Sequence, residues 1–426
     1  MPCWPGAASV PLKPLRDSVL SEHPILVVFL AAVAAPLIAQ TRVGAFVPVV
    51  VFEVVLGIVL GPQGLGLAAN DRFVSFMHDV GMVAVMFMAG MEIDFERIRG
   101  RPLTLGTAGW SVSVVLAALA LVLIHPVFGI STPPMLVIAL TTTGLGTLLP
   151  ILRDGGLLGS RFGSMLLAAG TLGEVGPIVA ASLVVSTRYS TWQEFVFLLV
   201  FLALVALAAA IGAGVRPPRV IALLGRTMHA STQLPVRLAL LLLATLVFVS
   251  EQFGFESVFG AFAAGMVVGF ATRGPDGDDF RKKIDAVCFG WFAPFFFVGT
   301  GIAFDVGAVV RSPNTLLLVP AFLALLLLIR GTPAWLYRRD LPPQQLLPLA
   351  LSSAVTSLGI VVVIANVGRR SGHLAADVAE ALIAAALLSL LIYPTAARML
   401  LARQRSPVDP ATPAESPEGA RAIPRT

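Results

Sequence analysis

The sequence predicts an all-α polytopic membrane protein of about thirteen transmembrane helices. Three observations carry that prediction. Of 426 residues, 57% are hydrophobic and only 12% charged, against about 25% charged in ordinary soluble domains. The mean hydropathy is +0.90, more apolar surface than a soluble core can hide. Apolar runs also recur at lengths near the roughly 20 residues that cross a bilayer.

In chain order the expected spans are 24–40, 46–60, 73–91, 104–125, 135–150, 162–187, 192–215, 234–250, 257–271, 284–303, 314–337, 344–367 and 376–400. Residues 1–22 lack a basic start followed by a long apolar run, so they read as an extracytoplasmic segment without a cleavable signal, and the first span as the insertion signal. The second span carries Glu53 near its middle, where a pathway, a subunit contact and a structural role all fit. The third ends in Glu92-Ile93-Asp94-Phe95-Glu96-Arg97, a solvated loop on its composition. The fourth ends at His125 before Pro126, an interfacial position. Several spans are short or rich in Gly and Pro, which is tolerated where neighbouring helices shield the backbone. Asp79, Asp285 and Glu380 fall close enough to span ends to reach water. Residues 402–426, rich in Pro, Ala and Glu, read as a disordered cytoplasmic tail. A soluble regulatory domain is not expected after the last span.

Loop charge sets the expected orientation. The odd-numbered loops hold 16 Arg and Lys residues, among them Arg97, Arg99, Arg101, Arg161, Arg281, Lys282, Lys283, Arg338 and Arg339; the even-numbered loops hold five. The positive-inside rule then places the N-terminus outside and the C-terminus in the cytoplasm of a cell with a plasma (inner) membrane. The net charge of +5 resides largely in these loops and gives no reason to expect a nucleic-acid partner.

Within the spans, Glu174 is the sharpest signal. It is the only ionisable side chain between Phe162 and Val179. A carboxylate at mid-bilayer costs about 2.5–3.5 kcal/mol on insertion scales, so it is rarely idle. Two other segments are unusually polar: Thr141-Thr142-Thr143-Gly144-Leu145-Gly146-Thr147, ending in Pro150, and Ser352-Ser353-Ala354-Val355-Thr356-Ser357. They lie in the fifth and twelfth spans, an odd offset, so they cross the membrane in opposite directions. Interrupted helices at matching places in two halves point to a transporter binding site, where freed carbonyls and hydroxyls replace a cation's water. Small and hydroxyl residues also mediate close helix packing, but two such segments at matching places favour the broken-helix reading. Thr141, Thr142, Thr143, Ser353, Thr356 and Ser357 are therefore candidate ion ligands with Glu174. Arg330 lies seven residues from the cytoplasmic end of its span, about 10 Å, and Glu174 twelve from its own, about 18 Å. An extended arginine closes most of that difference, so Arg330 is a candidate charge partner; snorkelling to the surface is the alternative.

HExxH, GxSxG and Walker motifs are missing, so neither enzyme chemistry nor ATP-driven transport is expected, and no cofactor. Gly299-Thr300-Gly301 lacks the third glycine of a dinucleotide loop. Cys3 and Cys288 form no disulfide or metal pattern.

The motif set resembles the monovalent cation:proton antiporters of the sodium/hydrogen exchanger type, most closely their second cation:proton antiporter group. The carriers are Phe46-Val47-Pro48 through Glu53, Gly57 and Leu60-Gly61-Pro62; Met86-Phe87-Met88-Ala89-Gly90-Met91-Glu92-Ile93-Asp94; Thr141-Thr142-Thr143; and Pro294-Phe295-Phe296-Phe297-Val298-Gly299. The resemblance covers about 24–400 and implies two inverted repeats joined by a linker helix at 192–215. It implies a transport core of 104–187 and 314–400, with spans 5 and 12 crossing as broken helices, and a homodimerisation part of 24–91 and 234–303. It also implies Na⁺ or K⁺ exchanged for protons by alternating access. Family members carry an acid on the sixth span, often an Asp after a polar residue; Glu174 and Gly173 stand there. The family's basic residue on the eleventh span matches Arg330. A single acid implies electroneutral exchange. Rival readings are a Na⁺-coupled organic-anion symporter of similar architecture, a non-transporting membrane sensor or scaffold and a pH-gated cation channel.

Overall fold

The computed structural model describes residues 24–404 apart from 42–46, 70, 94–97, 129–133, 146–147, 149–151, 153–155, 186–190, 215–231, 273–276, 311–312, 371 and 373. The expected segment 1–22 lies outside the described residues, as do Gly146, Thr147, Pro150 and the Asp94–Arg97 stretch; of the tail expected at 402–426, residues 402–404 continue the last helix and the rest lies outside the described residues.

The described residues are helical, without strands. In order the helices are α1 (Pro24–Ala39), α2 (Val49–Leu60), α3 (Arg72–Glu92), α4 (Arg101–Phe128), α5 (Pro134–Leu140), α6 (Arg161–Val185), α7 (Thr191–Gly214), α8 (Leu234–Gln252) and α9 (Ser257–Ala271). α10 (Gly277–Val287) runs through a π turn, Cys288–Phe292, into α11 (Ala293–Ala303); α12 is Val306–Val310. α13 (Pro313–Gly331) continues as a 3-10 turn, Thr332–Arg339, followed by α14 (Pro343–Ser353), α15 (Leu358–Arg370) and α16 (Ala376–Gln404). Each expected span contains a helix. Among the described residues seven helices are long and apolar enough to cross a bilayer singly, eight with the bent pair α14 and α15.

Local chemistry sets several starts. The Asp71 carboxylate accepts from the Val74 N–H at 2.7 Å and caps α3. Asp278 and Asp279 occupy the first turn of α10, where the helix dipole favours acids. Pro343 opens α14 at a position whose N–H has no helical acceptor.

Packing sorts the helices into two groups. α1, α2, α3, α8, α9 and α11 pack on one another, and α7 packs on α9. α4, α5, α6, α13, α14, α15 and α16 form the second group. α3 and α9 meet backbone to backbone. A Cβ on Gly265 would strike the Phe87 carbonyl and one on Gly90 the Phe262 carbonyl, so only glycine allows the approach. Phe201 of α7 seats against Phe259 of α9 with ring centroids 4.9 Å apart. Leu30, Val33 and Leu37 of α1 and Val115, Leu119 and Val122 of α4 point outward, as apolar side chains do where the solvent is lipid rather than water.

At one edge of the second group a charged clasp ties three elements together. Arg101 Nε and Arg161 Nη2 lie 2.6 and 2.7 Å from Asp340 Oδ1. These residues sit at the start of α4, the start of α6 and the turn before α14. The Asp340 side chain is 2% exposed while both arginines are more than half exposed. The hydrogen bond from Arg101, joined by that from Arg161, holds the Asp340 carboxyl below the usual aspartate range. A depressed carboxyl contributes stability above its unfolded pKa and loses it as pH falls through the folded value. Asp340→Asn is therefore expected to lower the melting temperature in detergent at neutral pH. The gap should close only as pH falls below the ordinary value of about 3.9. A gap that persists unchanged in acid would show that charge is not what the clasp contributes.

Candidate functional site

α6 carries Glu174 and a built-in defect three residues on. The N–H of residue 177 would normally bond the Gly173 carbonyl, but residue 177 is proline and has no N–H. The freed Gly173 carbonyl accepts instead from the Thr143 backbone N–H at 2.8 Å. Thr143 can offer that N–H because the chain leaves helical geometry after α5 ends at Leu140. One interruption thus satisfies another.

The second break lies between α14 and α15, which are bent by 42° across residues 354–357. The two breaks touch. The Gly144 N–H donates to the Val355 carbonyl at 2.8 Å, and the Thr143 hydroxyl donates to the Ser353 carbonyl at 2.6 Å. A Cβ on Gly144 would sit 2.6 Å from the Thr356 carbonyl, so a glycine is required at the crossing. From α16, Ser389 Oγ accepts from the Thr356 N–H at 3.3 Å and contacts the Thr356 hydroxyl at 2.8 Å.

Glu174 lies at this crossing and is 2% exposed. Ser357 Oγ donates to Glu174 Oε1 at 3.4 Å, and the Leu145 backbone N–H also faces the carboxylate. Ser357 immediately precedes α15, so the carboxylate stands at the positive end of that half-helix. Glu174 Oε2 is buried without a hydrogen-bond partner. Among the described residues no group of three His, Cys, Asp or Glu side chains converges anywhere. A cation at this place would therefore meet one carboxylate supplemented by hydroxyls and carbonyls.

Arg330 is 3% exposed, which excludes snorkelling. It does not bond Glu174 either, as the expected charge pair requires. Its Nε donates to Thr143 Oγ1 at 2.8 Å, Nη1 to Ser113 Oγ at 3.2 Å and Nη2 to the Ala169 carbonyl at 3.0 Å. The guanidinium is fastened to the crossing and to α4 and α6 by neutral acceptors.

The expected hydroxyl residues divide accordingly. Ser357 reaches Glu174; Thr143 serves Arg330 and Ser353; Thr356 turns to Ser389. The Thr141 and Thr142 hydroxyls bond back to the Ile138 and Ala139 carbonyls at 2.8 and 2.9 Å. Glu53 is buried on α2, in the other helix group. Glu380, expected at the water boundary, is buried under Arg369, whose Nη1 lies 3.3 Å from Glu380 Oε1. Ser113 and Ser389 were not singled out from the sequence, and Glu92 was read only as the start of a solvated loop and as part of a family motif. Glu92 ends α3 half-buried and interacts electrostatically with Glu174, rather than lying in a solvated loop. Pro177 was a readable signal of a freed carbonyl one turn earlier.

The transmembrane sodium/hydrogen exchanger family model matches residues 26–403, nearly the whole described chain. The chain belongs to the sodium/hydrogen exchanger family. Within that family it is similar to the putative Na(+)/H(+) antiporter YjbQ of Bacillus subtilis, 22% identical over 91% of this chain and 64% of that protein. It is 26% identical to cation/H(+) antiporter 18 of Arabidopsis thaliana over 69% of this chain and 38% of the plant protein. The chain thus spans less than two thirds of the length of both these relatives. It is 24% identical to the Na(+)/H(+)-K(+) antiporter GerN of Bacillus cereus over 82% of this chain and 88% of that protein. The structure of the sodium proton antiporter MjNhaP1 from Methanocaldococcus jannaschii has the same fold, with a TM-score of 0.65 and 17% identity over 90% of this chain and 99% of that one.

The Thr143 hydroxyl joins Arg330 to the second break. Thr143→Val keeps the shape but strands the Arg330 Nε–H and the Ser353 carbonyl. Each stranded buried group costs about 1–3 kcal/mol. A clear drop in melting temperature in detergent is the expected result, while an unchanged value would show that the crossing does not depend on this hydroxyl.

Proposed function

We propose that this chain exchanges a monovalent cation, Na⁺ or K⁺, for protons, with Glu174 as the carboxylate that cation and proton occupy in turn. The observation that carries the reading is the buried Glu174 with an uncommitted Oε2 at the contact of two unwound segments. Burial opposes an isolated negative charge, so an empty, ionised Glu174 is unfavourable. A proton or a cation each relieves it, and the two compete. Ser357, with Thr141, Thr142, Thr143, Ser353 and Thr356 around the breaks, would supply hydroxyl and carbonyl oxygens to a partly dehydrated ion. The relatives' printed names, Na(+)/H(+), Na(+)/H(+)-K(+) and cation/H(+) antiporters, agree with both ions as substrates.

Glu92 provides a polar approach from the end where α3 finishes. Towards the other end a small, largely apolar cavity lies between the helix groups, lined by Ile178 of α6, Ile360 and Val367 of α15 and Val258 and Phe259 of α9, with Glu256 also on its wall. The basic loops orient the polar approach to the cytoplasm, with the N-terminus outside, in the plasma membrane. Alternating access then consists of the second helix group, 104–187 with 314–400, moving against a homodimerisation part, 24–91 with 234–303. An organic-anion symporter would need a cationic group free to receive its substrate. Arg330 is committed to Thr143, Ser113 and Ala169, which disfavours that alternative.

Glu174→Gln keeps the size and removes the charge. In vesicles loaded with a pH-sensitive dye it should abolish the proton movement that added Na⁺ or K⁺ drives in the wild type. Exchange at the wild-type rate would sink the assignment. With one acid at the site, exchange is expected to be electroneutral. An imposed membrane potential should then leave proteoliposome flux unchanged, and potential-driven transport would contradict it.

A further inference from the structure

We propose that Glu92 is a second carboxylate of the transport path, one that strengthens cation binding at Glu174 only while the site faces the cytoplasm. The inference rests on the antiport reading above. Glu92 closes α3, in the first helix group, whereas Glu174 belongs to the second. The two groups meet close to the crossing. α3 packs on α15, and a Cβ on Gly359, two residues past Ser357, would lie 2.7 Å from Met86 Cε. From Met86 the helix runs one and a half turns further, about 9 Å, and ends in Glu92. There the side chain is half-buried, its Oε2 buried, and its charge acts on Glu174 across the boundary between the groups.

The neighbouring elements bring few charges to this place. α9 and α11, packed on α3, carry no ionisable side chain within their helices, and α15 has its two arginines, Arg369 and Arg370, in its last turn. Cys288 of the π turn is buried. On α3 itself Arg72, His78 and Asp79 lie towards the opposite end. Arg281 of α10 reaches the end of α3: its Nη2 donates to the Gly269 carbonyl at 3.3 Å, and a Cβ on Gly269 would meet the Met91 backbone.

A negative charge near a carboxylate favours whatever neutralises that carboxylate. H⁺, Na⁺ and K⁺ carry the same charge, so Glu92 strengthens the binding of each by a similar factor. Glu92 does not travel with Glu174. Its help ends when the second helix group carries the site towards the outside.

The test is the KM for Na⁺ and K⁺ on each face, measured as cation-dependent proton flux in everted and in right-side-out membrane vesicles. At a pH high enough that protons no longer compete, Glu92→Gln should raise the cytoplasmic KM several-fold and leave the outer KM at the wild-type value. At lower pH the difference should shrink, because the competing proton is loosened as well. Glu92→Asp keeps the charge and should keep the low cytoplasmic KM. An unchanged cytoplasmic KM in Glu92→Gln overturns the proposal. So does an equal rise on both faces, which is what altered packing alone would give. If Glu92→Gln does not fold, Glu92→Ala decides on the same readout, since it leaves no amide to satisfy. Flux that needs Glu174 but is indifferent to Glu92 overturns this proposal alone. A wild type that moves no protons in response to either cation overturns the antiport reading, and this proposal with it.

Discussion

Unwound backbone can exist at membrane depth only where protein groups replace the water that the bilayer excludes. In this chain that requirement is met by three interruptions that satisfy one another. Pro177 frees the Gly173 carbonyl; the break after α5 supplies the Thr143 N–H; the break between α14 and α15 supplies the Val355 and Ser353 carbonyls to Gly144 and to the Thr143 hydroxyl. The interlock brings α5, α6, α14 and α15 to one point. Without it the carbonyls would be buried and unsatisfied, each costing as much as a lost hydrogen bond. The place where Glu174 sits is a consequence of this exchange of backbone partners.

The same interlock separates the two buried charges. Arg330 is drawn to the crossing by Thr143 and held there by Ser113 and the Ala169 carbonyl. Glu174 is drawn to the start of α15 by Ser357. Each charge has its own neutral hydrogen-bond partners, so neither depends on neutralising the other. A site whose acid was locked in an ion pair would have to break that pair at every turnover. Here the acid keeps one oxygen free.

Much of this was legible in the sequence. Hydropathy marks the spans because lipid-facing and buried helix faces are both apolar. The Thr-Gly and Ser-Thr segments betray the breaks because they combine weak helix formers with hydroxyls, and Glu174 stands out as a lone charge. What the sequence could not supply was rotation. The 1.5 Å rise per residue fixes the depth of Arg330 relative to Glu174. It does not fix the angles at which α13 and α6 face each other, so similar depth was read as a pair. Gly173 was read as the loss of a polar neighbour, whereas it is room for the guanidinium. Nothing in the sequence set Ser113 apart. Glu92 shares a charged stretch with Asp94, Glu96 and Arg97, and only the course of α3 shows that its last turn reaches towards Glu174. Glu380 lies near a span end as expected, but Arg369 covers it.

The central claim is that proton and cation share one carboxylate, and proton release on cation binding tests it most directly. Purified protein in weakly buffered detergent solution would be titrated with Na⁺ and with K⁺ while pH and bound cation are followed together. The account predicts that a proton leaves for each cation bound, and that the release is lost when Glu174 is glutamine. Cation binding to the wild type with no proton released would contradict it.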